Sequence, residues 1–348
     1  MRKEIPLERR HLLVVRLSAM GDVAIAVPVV KALRSSYPEL KITVLTRGYY
    51  KPFFRDIERI DFFIPDFENR HKGPWGIVRL FFDLRAEGID CVADLHDVIR
   101  SKLLRRLFRL FGVRVSKIDK GRGETKALTR KFQKEFVPLK PTAERFRDAV
   151  AALGFDNLTL EIPSKIKRPV PQEIATITSP KQGKWIGLAP FAKHKGKIYP
   201  PGQTDKLIGL LTAKYEKVFL FGGGRYEREF AEVMEIHHPG AVSVIGKVNL
   251  AQELDLISNL DCIVTMDSAA MHMASLMATP AVSVWGATHP YAGFYGFGQD
   301  PANAVQVELS CRPCSVYGNK PCLFGDYRCM TRITPEIIAE KVREVAGD

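Results

Sequence analysis

The stretch from Leu260 to Gly286, LDCIVTMDSAAMHMASLMATPAVSVWG, constrains the chain more than any other. It reads as a buried strand (Cys262–Met266), a sharp polar turn, a helix of small residues and a second strand (Ala281–Trp285). In an open parallel sheet, ligands bind beyond the carboxyl ends of the strands, where such turns sit. Asp267, Ser268, Ala269, Ala270, Met271 and His272 occupy that place. Asp267 or Ser268 is expected to cap the helix, whose first-turn N–H groups then form an anion site. Small side chains at 268–270 let a phosphate approach the backbone. His272 lies one turn beyond Ser268, so both can face one ligand. The plainer alternative is that Asp267 is only an N-cap and His272 a satisfied core histidine.

The rest of the chain repeats this rhythm. Leu12–Leu17 is a first strand, and Asp22 opens a helix to about Ser36 in which Pro28 should cost a hydrogen bond and introduce a kink. Strands at 41–46 and 91–95, a further one at 59–64, and helices at 77–87 and 98–111 complete an alternating α/β half. Residues 113–142 are the least regular and most basic, and a helix over 142–153 ends at Gly154. Pro163, Pro169, Pro171 and Pro180 punctuate a linker. Strands at 185–189, 217–221 and 242–245 then alternate with helices at 204–214, from about 226, and after an Asn249 cap. A last helix covers 335–346.

A length of 348 residues allows two ordinary domains. A formal charge of +13 points to an anionic partner, whether nucleic acid, membrane surface or phosphorylated substrate. No signal peptide is expected in the N-terminal segment, because Arg16 and Asp22 interrupt its apolar run. Ser268–Gln299 is free of Lys, Arg, Asp and Glu, but Pro280, Gly286, Pro290, Gly293 and Gly296 break it, so it reads as buried and turn-rich. A cytoplasmic protein is expected.

Several motifs lie at strand ends. Ser18-Ala19-Met20-Gly21-Asp22 follows the first strand, where Gly21 allows a tight turn and Asp22 serves either as a helix cap or as a base. Asp94-Leu95-His96-Asp97, with Arg100-Ser101, follows the strand at 91–95. Ala189 to Pro200 carries Lys193, Lys195 and Lys197 ahead of Tyr199-Pro200, and Gly222-Gly223-Gly224 precedes Glu227. Gly246-Lys247 and Gly286-x-Thr288-x-Pro290 flank the opening stretch. In these residues the chain resembles the lipopolysaccharide heptosyltransferases, glycosyltransferase family nine. The resemblance spans nearly the whole chain and is strongest at 12–30 and 183–332. Ala269 stands where that family has Gly, and Tyr199 where it has Trp.

The resemblance implies the GT-B fold, two Rossmann-like doubly wound domains facing each other across a cleft. It places an acceptor domain at 1–164, a linker at 165–182, a nucleotide-sugar domain at 183–332, and a terminal helix at 333–348 able to return to the first domain. It implies inverting transfer of a heptose from ADP-heptose to the lipopolysaccharide inner core, with Asp22 as base and Lys197 as the cation that meets the diphosphate. Lys193, Glu227, residues Asp267 to His272 and Thr288 would hold the donor. Ser18, Gly21, His96, Arg100, Arg122 and Arg130 would hold the acceptor, with the basic run from Arg114 to Lys134 drawing both acceptor and membrane. The partners are then a nucleotide diphosphate sugar and an anionic glycolipid. The enzyme would be a monomer in peripheral contact with the cytoplasmic face of the inner membrane of a Gram-negative bacterium, with no cofactor required for catalysis.

Cys311-x2-Cys314-x7-Cys322-x6-Cys329 would suit a structural, tetrahedral Zn²⁺. Similar cysteines followed by Met-Thr-x-Ile-x-Pro occur in the family, which supports membership without establishing a metal. Cys91 and Cys262 lie in apolar strands and read as core. Two other functions remain open. An epimerase of GT-B-like fold needs paired carboxylates, and only Asp22 is placed for that. A nucleic-acid binder wants aromatics interleaved with the basic run, and 113–135 offers only Phe132.

Overall fold

The computed structural model describes Pro6 and residues 9–348, and these fall into two units with a parallel sheet each. The first unit comprises the chain up to Lys120 together with Thr142–Glu161; the second comprises Gly121–Pro141 and Ile162–Asp348.

In the first unit β1 (His11–Val15) leads into α1 (Met20–Ser36), and α1 continues through Pro28 as one helix. Next come β2 (Lys41–Leu45), β3 (Ile60–Phe63), α2 (Gly73–Ala86), β4 (Cys91–Asp94), α3 (Ile99–Leu110) and β5 (Arg114–Lys117). The short helix α4 (Arg122–Leu128) belongs to the second unit, and α5 (Thr142–Ala151) returns to the first. The strands lie in the order β3-β2-β1-β4-β5, with Val15 level with Leu45 on one side and Asp94 on the other. β1 and β4 are buried along their whole length because helices cover both faces, which is why they read as continuous apolar runs.

The second unit opens with a short helix α6 (Gln172–Ala175). Then come β6 (Trp185–Ala189), α7 (Pro201–Thr212), β7 (Lys217–Leu220), α8 (Arg225–His237), β8 (Ala241–Ser243) and α9 (Leu250–Asn259). β9 (Cys262–Met266), α10 (Ala269–Leu276), β10 (Ala281–Trp285), β11 (Ala304–Gln306), α11 (Arg328–Thr331) and α12 (Pro335–Ala346) complete it. Its strand order is β11-β10-β9-β6-β7-β8. Asn249 caps α9 as expected, accepting from the Gln252 amide at 3.1 Å while Gln252 accepts from the Asn249 amide at 2.8 Å.

Three expectations about organisation change. Residues 121–141 sit with the second unit, because Leu128 and Leu139 are buried against Ala292 and the Leu139 amide donates to the Tyr291 carbonyl at 2.8 Å. The stretch read as a linker is laid along the second unit: Lys165 donates to the Leu260 carbonyl at 2.7 Å, Lys181 pairs with Asp261 at 2.7 Å, and Ile174 is fully buried. The terminal helix α12 packs on α7 and β9 rather than returning to the first unit, burying Ile338 and Val342. Cys91 and Cys262 are core residues, and burial pushes each thiol up to about 12.

Candidate active site

Each sheet has one place where the winding reverses. In the first it falls between β1 and β4, in the second between β6 and β9. The loops leaving those strands at their carboxyl ends carry the motifs singled out from the sequence, as the physics of open parallel sheets requires.

At the first reversal, Asp22 stands in the opening turn of α1 and is about a quarter exposed. Its Oδ2 accepts from the Ala19 amide at 3.3 Å and pairs with Arg16. The Arg16 guanidinium is itself buried, donates to the Leu95 carbonyl at 2.5 Å, and lies 5.4 Å from the Phe146 ring. Arg16 thus ties the end of β1 to the loop after β4 and holds Asp22 by one oxygen. Sequence reasoning passed it over, although a charge inside LLVVRL is the signal of a buried, partnered ion. Gly21 is not the turn: it lies within α1, which begins at Met20 after an extended Ala19.

His96 and Ser18 do come together, with Nε2 3.4 Å from the hydroxyl. Burial, reinforced by Arg16 and Lys120, lowers the His96 pKa to about 4, so the ring is neutral near pH 7. Its Nδ1 is buried and has no hydrogen-bond partner among the described residues. Asp94 builds this loop. Its Oδ1 accepts from the amides of His96 and Asp97 at 3.0 and 2.8 Å, and Oδ2 meets Arg105 at 2.5 Å. Arg100 is exposed on α3, its guanidinium 4.8 Å from the Phe67 ring.

Arg122 and Arg130 are carried by a different unit from the residues above. Both belong with the second unit, and Arg130 pairs with Glu135 at 3.0 Å. The basic run is therefore divided: 114–117 is the edge strand β5, whereas Lys134 donates to the Pro313 carbonyl of the second unit at 3.1 Å. A few apolar anchors set this division, and the surrounding charge masks them in the sequence.

At the second reversal the structure brings Lys197 to Asp267, Nζ to Oδ2 at 3.1 Å, both largely buried. Neither acidic nor hydroxyl side chain caps α10. Ser268 occupies the N-cap position with an extended backbone but makes no capping bond, and Asp267 is turned to Lys197. The amides of the first turn, Ala269 to Met271, are thereby left without a side-chain cap, at the positive end of the helix. Ala269 is absent from the positive-φ residues, so its methyl group is accommodated without strain. Met271 is buried, leaving its backbone to meet a ligand; His272 sits one turn in and is also buried.

Lys197 owes its place to a close backbone approach. The Ala287 amide donates to the Gly196 carbonyl at 2.9 Å, and a Cβ on Gly196 would meet the Ala287 Cβ at 2.8 Å and the Gly318 carbonyl at 2.9 Å. Tyr199 is buried and donates to the Ile333 carbonyl at 2.7 Å, pinning the end of the segment. Thr288 is fully buried, and its hydroxyl has no hydrogen-bond partner among the described residues. Lys193 is exposed, and Lys195 lies over the Tyr327 ring at 5.1 Å.

Glu227 is differently employed than expected. Its Oε2 accepts from the amides of Gly223 and Gly224 at 2.6 and 3.4 Å, satisfying free N–H groups at the start of α8. Only Oε1 is left to face a ligand.

The four clustered cysteines line one small pocket with Arg312, another residue the sequence did not flag. Arg312 donates to the carbonyls of Gly286 and Thr288 at 2.5 and 3.0 Å, so it braces the loop beside Lys197. The donor set suits zinc in kind and in shared location. Among the described residues, however, no three His, Cys, Asp or Glu side chains converge closely enough to hold one ion, so ligation requires the loop to draw in.

The family model for Glycosyltransferase family 9 (heptosyltransferase) matches residues 77–323. The chain is 24% identical to the Haemophilus influenzae lipooligosaccharide heptosyltransferase 2, covering 96% of this chain and 99% of that one. In three dimensions it is similar to the Escherichia coli ADP-heptose lipopolysaccharide heptosyltransferase II, with a TM-score of 0.71, 18% identity, and coverage of 97% and 98%. The E. coli heptosyltransferase WaaC, solved with ADP, gives a TM-score of 0.66 at 17% identity, with coverage of 96% and 99%. The two-sheet α/β architecture read from the sequence is the fold of these enzymes.

Proposed function

Because the chain belongs to glycosyltransferase family 9, the heptosyltransferases, we propose that it moves a heptose from ADP-heptose to the inner core of lipopolysaccharide with inversion at the anomeric carbon. The observation that carries this reading is the pairing of Lys197 with Asp267 beside the uncapped start of α10, at the reversal point of the second sheet. A diphosphate placed there meets a cation and a row of amides, which gain value as charge develops on the leaving group. His272 and Thr288 line the same strand ends and complete the donor site.

On the acceptor side, Asp22 takes the proton from the attacking hydroxyl. Its Oδ2 is held by Arg16 and the Ala19 amide, which leaves Oδ1 to receive that proton. The acceptor oxygen forms the new bond to the anomeric carbon as the bond to the diphosphate breaks, and the electron pair departs with ADP. Ser18 and the neutral His96 orient the acceptor. Lys197 and the helix amides supply the positive charge, so the transfer as proposed asks for no cofactor. An epimerase would need a second carboxylate beside Asp22, and Asp94 and Asp97, on the loop after the neighbouring strand, are engaged with Arg105.

The acceptor would be reached at the cytoplasmic face of the inner membrane by a monomer in peripheral contact. No helix among the described residues is long and apolar enough to cross a membrane. Incubation with ADP-heptose and heptose-free lipopolysaccharide should yield ADP and a glycolipid heavier by one heptose, measured by mass spectrometry. Intact donor and unchanged acceptor would overturn the assignment.

The cysteine pocket carries a separate, structural proposal: the loop 311–329 closes on one zinc ion behind Lys197. Protein purified under reducing conditions should then contain one zinc per chain and lose thermal stability on chelation. Four titratable thiols without metal would return the loop to ordinary packing.

A further inference from the structure

We propose that α2 and α3 of the first unit form the face by which the protein docks on an anionic lipid bilayer. On α2 the exposed residues Trp75, Arg79 and Phe82 fall at spacings of four and three, one stripe of the helix. Trp75 is 80% exposed and Phe82 56%. The Phe82 and Phe111 rings lie 5.2 and 4.9 Å from the buried Phe81 ring, so α2 and the end of α3 share one aromatic patch. The Arg85 guanidinium sits 4.9 Å from the Phe111 ring. Leu110, 79% exposed, extends the patch, with Arg106 and Arg109 exposed beside it.

The charge of α3 identifies the occupant. Its sequence IRSKLLRRLFRL carries five cations and no anion. Arg105 and Lys102 are drawn to Asp97, while Arg100, Arg106 and Arg109 face outward. Aromatic rings interleaved with arginines match a headgroup boundary, where the rings enter the apolar edge and the guanidinium groups meet phosphates. A second copy of the chain fits poorly, because a two-fold interface sets the same patch on both sides and would oppose cation to cation. This surface lies on the first unit alone, whereas the basic run from Arg114 to Lys134 is shared between the two units.

The proposal rests on the heptosyltransferase reading only for its purpose, delivery of the enzyme to a lipid-anchored acceptor. The binding itself is measured with neither donor nor acceptor present. In sedimentation with vesicles of equal parts phosphatidylglycerol and phosphatidylethanolamine, the full chain should bind; with phosphatidylcholine vesicles it should not. Trp185 and Trp285 are buried, so a blue shift of tryptophan emission on binding reports on Trp75. Trp75→Ser with Phe82→Ser, and separately Arg106→Ser with Arg109→Ser, should each lower vesicle affinity roughly 10-fold or more. Unchanged ADP affinity serves as the folding control. Parental binding by both paired variants, equal binding to phosphatidylcholine, or a dimer abolished by Trp75→Ser with Phe82→Ser would each overturn the proposal.

Discussion

Asp22→Asn is expected to lower turnover roughly 10²–10⁴-fold, the usual worth of a positioned base, and to leave ADP affinity unchanged. The substitution is nearly isosteric. An amide oxygen at 22 can still accept from the Ala19 amide, and Arg16 keeps the Leu95 carbonyl and the Phe146 ring, so the loop should hold its shape. What is lost is the capacity to take a proton, together with the carboxylate charge opposite the buried Arg16 guanidinium. Single-turnover rates with saturating ADP-heptose measure this directly, with ADP calorimetry as the control. Near-parental turnover in this variant would falsify the base assignment, whereas a matching fall in ADP affinity would indicate a disturbed fold.

Lys197→Ala should weaken ADP binding far more than adenosine binding and lower turnover by about 10²–10³-fold, as removal of a leaving-group stabiliser does. The ion pair complicates the single variant. With Lys197 gone, Asp267 is a buried carboxylate lacking its partner, which can cost up to the ~3–5 kcal/mol of a broken buried pair and would also repel phosphate. Lys197→Ala combined with Asp267→Asn removes both charges, so it should recover thermal stability while ADP affinity remains depressed. Calorimetry with ADP and adenosine, alongside thermal unfolding, separates the two effects. If the double variant regains parental ADP affinity and turnover, Lys197 serves only to neutralise Asp267.

The candidate site was legible in proportion to how locally it is built. The strand runs LLVVRL, CVADL, WIGLA and CIVTM are largely apolar segments ended by polar turns, which places Asp22, His96 and Asp267 at the ligand end of parallel sheets, whereas Lys197 is singled out by the resemblance to the heptosyltransferases. Less local features escaped. Arg16 and Arg312 are single charges whose carbonyl partners, Leu95 for the first and Gly286 and Thr288 for the second, lie in other segments, so spacing does not name those partners. Glu227 sits three residues after Gly224, a spacing that fits a bond back to the helix-start amides as well as a ligand contact, and only the observed bonds assign it to those amides.

By itself, then, the sequence determined two α/β halves, their strand ends and the residue types gathered there, because these follow from periodicity and turn chemistry over a few residues. Only the tertiary structure decided that Lys197 pairs with Asp267, that 121–141 joins the second unit, and that the aromatic and cationic residues of α2 and α3 share one exposed face. Each of these depends on contacts between segments tens of residues apart in the chain. Such contacts form when a few buried side chains, such as Leu128, Leu139 and Phe81, find complementary surfaces, and no local pattern in the chain encodes which surfaces those are.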